Sequence, residues 1–252
     1  MHFVIELKRR NPVLFWYSLL NFIAAVVCII LSQTSTTTVN GINAFIKPFK
    51  FFLSIGIFCV TMGWILHYLE RPDKVRAYNI MAIIIFTYES FVITWQASNG
   101  RLSHFNTSST LYFWLFQFMG IAIVILTLWT GHIGYLFFRK KEWKIPMTYV
   151  WGIRMGIFFF VLFALEGGVM GSLLRHTIGG EDSGSGLPLV NWNRKHGDLR
   201  IAHFLGMHTL QLFPLFGYYV ASTNKTLIVI CLFYVAAVLA ILIQALMGLP
   251  LF

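Results

Sequence analysis

The sequence predicts an all-α, polytopic membrane protein: a bundle of seven transmembrane helices, N-terminus cytoplasmic, C-terminus extracytoplasmic. Three observations predict this class. Of 252 residues, 58% are hydrophobic and only 11% are charged, whereas a soluble domain carries about 25% charged residues. Mean hydropathy is +0.73. The apolar residues run on for roughly 20 positions at a time, as a membrane-crossing helix requires, and do not alternate in the roughly ten-residue segments of a β-barrel. The formal charge of +10 reads as topogenic lysines and arginines attracted to anionic lipid, and not as a nucleic-acid footprint.

The spans follow in order at 13–32, 48–68, 77–97, 110–137, 147–174, 198–221 and 225–248, within one transmembrane domain covering 1–252. The first follows Lys8-Arg9-Arg10, like a signal peptide, but its apolar stretch is too long for a signal core and is kept as a span. The second opens on "KPFKFF". The fourth and fifth exceed the hydrocarbon thickness and should tilt or project. The longest connection, "RHTIGGEDSGSGLPLVNWNRKHG" at 175–197, is rich in Gly and Ser and can fold over a site as a lid. No internal repeat supports an inverted-repeat transporter. Cys28, Cys59 and Cys231 each fall inside an apolar run and read as packing residues.

Placing the N-terminus inside puts Lys8, Arg9, Arg10, Arg71, Lys74, Arg76, Arg139, Lys140, Lys141, Lys144 and Lys225 on the cytoplasmic side. The outer side then has fewer: Lys47, Lys50, Arg101, Arg175, Arg194, Lys195 and Arg200. That bias sets the orientation.

Polar side chains inside a bilayer need a reason, because an unpaired one costs several kcal/mol. At about 1.5 Å per residue, Glu89 in span three and Glu166 in span five each lie roughly 12 Å below the outer end, and His208 in span six roughly 15 Å. These three ionisable groups are expected to share one level. Gln96 lies on the face of Glu89, and Gln211 on that of His208. His203 and His208 are about 140° apart and do not form the i,i+4 pair of a zinc protease. Nearer the mouth come Arg101, His104 and Asn106 in "GRLSHFN", then Arg175 and His176, then Asp198 and Arg200. Lys47 and Lys50 open span two on that side. Together these residues are expected to line an outward-facing funnel with carboxylates and imidazoles at its floor.

Each also has a plainer reading. A lone intramembrane Glu or His can satisfy a neighbouring backbone group. Lys47 and Lys50 can snorkel to headgroups or bind an anionic group. Gly167, Gly168 and Gly171 suit close helix packing, or leave room for a flat cofactor beside Glu166. Arg154 lies about three turns below Glu166, a poor partner for it, and belongs to the inner interface. His196 reads as an ordinary loop histidine; His67 and His132 look isolated.

The strings "KPFKF", "GRLSHFN", "LEGG", "RHTIGG", "GLPLVNW" and "GDLRIAHFLGMHTLQ" together resemble a family of small bacterial polytopic membrane proteins, over residues 45 to 215. The resemblance implies a bacterial cytoplasmic (inner) membrane and brings no activity with it. Span seven holds no lysine, which excludes a retinal Schiff base as in microbial rhodopsins. Transmembrane ceramidases and adiponectin-receptor-like hydrolases carry a His-x-x-x-His pair that His203 and His208 do not match.

Three functions remain. The first is a metal- or haem-dependent membrane enzyme, a hydrolase or oxidoreductase. Zinc, iron or copper would be held by His203, His208, His104 or Glu166, or haem b by two outer histidines, with Glu89 or Glu166 as catalytic base. Lys47, Lys50, Gln96, Asn106, Arg175, His176, Asp198, Arg200 and Gln211 would bind a lipid-soluble or periplasmic small molecule. The second is a proton- or cation-coupled transporter or channel with a Glu/His relay. The third is a small-ligand sensor or assembly protein without catalysis. The lipid bilayer is the expected partner, nucleic acid is not.

Overall fold

The computed structural model describes residues 2–182 and 186–252. Its elements are α-helices and two short hairpins, in the order α1 (His2–Arg10), α2 (Pro12–Thr34), β1 (Thr38–Val39), β2 (Ile42–Asn43), α3 (Ile46–Ile65), α4 (Pro72–Ser98), α5 (Thr110–Arg139), α6 (Met147–Leu173), β3 (Thr177–Ile178), β4 (Gly197–Asp198), α7 (Leu199–Met207), α8 (Thr209–Tyr219) and α9 (Asn224–Leu246). A 3-10 turn, Leu66–Leu69, extends α3. Among the described residues, six helices are long and apolar enough to cross a membrane: α2, α3 with its 3-10 turn, α4, α5, α6 and α9. They match six of the expected spans within a few residues. The remaining span, 198–221, is instead two shorter helices, with His208 ending α7 and opening α8.

The chain divides into two compact units, 1–126 and 127–252, with the boundary inside α5. In the first unit, Asn11 separates a short basic helix from the first span, a break the sequence reading did not place. Its side chain accepts from the Leu14 N–H, and Pro12 follows at the first helical position, where its missing N–H costs nothing. Asn11 and Asn79 then exchange two amide hydrogen bonds, 3.2 and 2.9 Å, both side chains buried. Higher up, Tyr17 and Thr87 share a hydroxyl bond of 3.1 Å. Both pairs hold α2 beside α4 in nearly constant register. Glycines let α3 pack closely on α2: a Cβ at Gly56 would strike the Phe22 ring, and one at Gly63 would meet Leu7 and Leu14. The β1–β2 hairpin turns on Asn40 and Gly41, both at positive φ, the residues such a tight turn favours.

In the second unit, α7 and α8 together run antiparallel to α6 along nearly its whole length. The seam is made of glycines. A Cβ at Gly206 would enter the Phe163 ring, and Gly156, Gly152 and Gly217 face the backbone of Thr209, Phe213 and Thr148. Such small residues let helix backbones approach in a bilayer, where packing and not water exclusion drives association. α9 completes the core with Leu227, Cys231, Val235 and Val238 against Phe163, Ala202 and Phe213; Cys231 is thus a packing residue, as expected. Arg154 is buried on α6 and closes the end of α5: its guanidinium donates to the Phe137 carbonyl at 3.1 and 2.9 Å and to that of Lys140 at 3.3 Å. A cation there also complements the helix dipole. Phe138, Trp143 and Trp151 surround it.

Candidate functional site

The second unit holds the better-defined site, an imidazole–carboxylate pair on facing helices. His203, in the second turn of α7, lies across from Glu166, in the last two turns of α6. Its Nδ1 is 2.7 Å from the Phe163 carbonyl and 3.1 Å from Glu166 Oε2. A carbonyl can only accept, so Nδ1 carries a proton and donates. The carboxylate side chain is 9% exposed and the imidazole 22%, so the pair is sheltered without being sealed. Oε1 of Glu166 is buried without a hydrogen-bond partner among the described residues.

Gly167 makes the arrangement possible. A Cβ there would lie 2.8 Å from Cε1 of His203. The room beside Glu166 is therefore occupied by an imidazole. Gly168 and Gly171 meet nothing within 4 Å, so the close-packing role expected of the three glycines falls to Gly167 alone.

The sequence reading paired Glu166 with His208, and this needs correction. The α6–α7–α8 register sets His208 roughly 7 Å deeper than Glu166, more than a helical turn. Its Nδ1 lies 2.7 Å from the Phe204 carbonyl one turn back, with its ring on that of Phe204. Gln211 follows on the next turn and is half-buried.

Above the pair, the described residues of the loop after α6 are held by carboxylates and amides. Asp182 accepts from the backbone of His176 and Thr177 and lies 3.3 Å from the His176 ring. Asp198, its side chain fully buried, caps α7, accepts from the Asn193 N–H and holds Arg200 in a two-point fork at 2.9 and 2.6 Å. Arg200 also donates to the Asn191 carbonyl. Burial works against ionisation of Asp198, yet Arg200 and the Asn193 N–H hold its carboxyl below the usual range. Asp198 and Arg200, expected to bind ligand, join the loop to α7. Arg175 is exposed, and its N–H caps α6 through the Met170 carbonyl. His196 packs on Gly180 as a loop histidine. The expected lid includes residues 183–185, which lie outside the described residues.

The first unit holds a separate polar cluster. Glu89 is buried in the middle of α4, its Oε1 without a hydrogen-bond partner among the described residues. Lys47, half-buried at the start of α3, acts electrostatically on both Glu89 and His104. Lys50, one turn on, is half-buried as well. His104 sits between the rings of Phe51 and Phe116, with Ser103 Oγ 3.1 Å from Nδ1. Burial first, and Lys47 second, hold its imidazole well below its ordinary pKa. Asn106 is a loop-former: it donates to the Leu102 carbonyl and accepts from Ser108. Gln96 is buried at the end of α4, where its carbonyl accepts from Asn99 and Arg101.

Glu89 thus belongs to one unit, and Glu166, His203 and His208 to the other. Among the described residues, no three His, Cys, Asp or Glu side chains gather as a metal-ligand group. The sequence reading missed the Phe163 carbonyl, Asp182 and Asn193; the Asn-x-Lys-His turn was the visible signal of the last. No family model, curated protein or solved structure matches the chain.

Proposed function

We propose that this chain crosses a membrane seven times and acts as a membrane enzyme, with His203 as general base and Glu166 as the group that orients it. The seventh crossing is α7 with α8. Leu199–Tyr219 spans roughly 30 Å at 1.5 Å per residue and lies against α6 from end to end. An odd number of crossings puts the termini on opposite sides. The basic bias supports an N-terminus inside, with the Glu166–His203 pair in the outer half of a bacterial inner membrane.

The observation that carries the reading is the double acceptor on His203 Nδ1. It fixes the ring plane and commits Nδ1 to donation, which would leave Nε2 to act as the base. In a hydrolytic reaction Nε2 would take a proton from water as the oxygen attacks a substrate carbonyl carbon. Glu166 would stabilise the imidazolium, which then returns the proton to the leaving group. A lipid-soluble substrate, entering beneath the loop after α6, suits a site at that depth.

The test is turnover of a panel of fluorogenic acyl esters by the purified protein in nanodiscs. His203→Gln should lower turnover about 10²–10⁴-fold, and Glu166→Gln less. Turnover equal to wild type in His203→Gln would refute the assignment. Elemental analysis and an absorption spectrum accompany it: stoichiometric zinc, iron, copper or a Soret band would make His203 a metal or haem ligand and move the reading to a metalloenzyme. If esters are not cleaved, a proteoliposome flux that falls in Glu166→Gln would assign the same pair to proton-coupled transport.

A further inference from the structure

The short helix α1 is firmly attached to the first unit. Leu7 is buried against Gly63 of α3, and the Phe3 ring stacks on Trp64 at 4.9 Å. The Arg10 guanidinium lies 3.9 Å from the Trp64 ring and 4.9 Å from that of Tyr68. Glu6 accepts from Arg9 and Arg10 at 2.9 and 2.7 Å, so both cations meet an acid within their own helix. Lys8 is different. It is exposed, its ammonium lies 4.9 Å over the Trp16 ring, and no acid among the described residues pairs with it. Around it, Val4 is 52%, Ile5 64% and Trp16 54% exposed.

Depth and chemistry narrow what meets this face. α2 has 23 residues and runs for roughly 34 Å at 1.5 Å per residue, past the roughly 30 Å of a hydrocarbon core. Its ends, and α1 beyond one of them, therefore fall in the headgroup layer. Trp16, Trp64 and Tyr68 at this end are the side chains of an interfacial aromatic belt. Val4 and Ile5 lie one turn from Lys8 along α1, so an occupant must take two apolar side chains and one ammonium at once. Water serves only the ammonium, and an uncharged acyl chain only the other two. A soluble acidic protein is kept off by the surrounding lipid at the depth of a span's first turn. We propose that α1 lies flat in the headgroup layer and binds anionic phospholipid, the phosphate on the Lys8 ammonium beside Trp16 and an acyl chain against Val4 and Ile5. This site does not rest on the Glu166–His203 reading.

The test is fluorescence of the full chain in phosphatidylcholine bilayers containing a rising share of brominated phosphatidylglycerol or, in a parallel series, brominated phosphatidylcholine. The Trp16 contribution is the difference between wild type and Trp16→Phe. The relative binding constant for phosphatidylglycerol over phosphatidylcholine at Trp16 should be about five, the worth of one basic side chain near an anionic surface. Lys8→Gln should bring it to about one and, the side chain being exposed, leave the unfolding temperature unchanged. Arg139→Gln, which removes the same charge from the second unit, should leave the constant as it is. A nitrobenzoxadiazole dye on Ile5→Cys should be quenched by brominated lipid and not by iodide in the water. The proposal falls if the two lipids quench Trp16 equally, if Lys8→Gln keeps the preference, if Arg139→Gln lowers it as much, or if iodide reaches the dye.

Discussion

Replacing Gly167 by alanine perturbs His203 without touching either member of the pair. The new methyl carbon would stand 2.8 Å from Cε1, where ordinary contact begins at 3.4 Å, so the imidazole must retreat by about 0.6 Å. Both Nδ1 contacts, 2.7 Å to Phe163 and 3.1 Å to Glu166, then stretch to or beyond the hydrogen-bond limit. Losing a hydrogen bond to a charged group costs about 1.5–3 kcal/mol. The helix gains roughly 0.5–1 kcal/mol from alanine in place of glycine. The net expectation is a destabilisation of about 1–2 kcal/mol. Gly168→Ala and Gly171→Ala are internal controls, since nothing lies within 4 Å of either added carbon, and both should match or exceed wild type. The assay is unfolding in bicelles, followed by tryptophan fluorescence, together with the ¹⁵N chemical shifts of the His203 ring. If Gly167→Ala is as stable as Gly168→Ala and the Nδ1 proton signal is unmoved, the geometry argued for the pair is wrong.

Three further outcomes are expected. Arg154→Met removes the donor to the Phe137 and Lys140 carbonyls and should cost about 2–4 kcal/mol, with faster amide exchange in the last turn of α5; Arg154→Lys should restore only part, because one ammonium cannot reproduce the fork. Asn79→Ala leaves a buried Asn11 amide unmatched and should cost about 1–3 kcal/mol; in a double-mutant cycle with Asn11→Ala the losses should fall short of additivity. Asp198 has a folded pKa below its unfolded one, so its contribution is complete above about pH 4 and drains away as pH falls through the folded value. The acid limb of an unfolding-temperature curve should therefore flatten in Asp198→Asn.

Much of this fold was legible in the sequence because hydrophobic length is a one-dimensional property. The continuous runs located α2, α3, α4, α5, α6 and α9 to within a few residues. Asn11 marks where that reading fails: a single capping amide with Pro12 splits a helix without disturbing the apolar pattern. The break at His208 is hidden for the same reason, since "FLGMHTLQLFP" keeps its hydrophobic content on both sides. For the site, sequence spacing gave depth but not pairing. Glu166, His203 and His208 stand out in the sequence together, but which histidine faces Glu166 depends on the register of the glycine seam, and register follows from which backbones can touch. Asp198 and Arg200 looked like ligands because buried charge is costly; their answer to that cost is each other. Nor could hydropathy show that the Ser90 and Thr94 hydroxyls have no hydrogen-bond partner among the described residues, because most helical hydroxyls bond back to a carbonyl of their own helix.

The break between α7 and α8 divides one membrane-length segment into mechanically unequal halves. The lower half is clamped, backbone to backbone, by Gly152, Gly156 and Gly217. The upper half is tethered through Asp198 and Arg200 to the loop at Asn191 and Asn193. A displacement of that loop would therefore act on the first turn of α7 and not on the lower half, while His203 itself stays bonded to α6. On the function proposed above, a substrate seated beneath the loop would press on the same helix that carries its base, so binding there and the setting of the imidazole would be read out together.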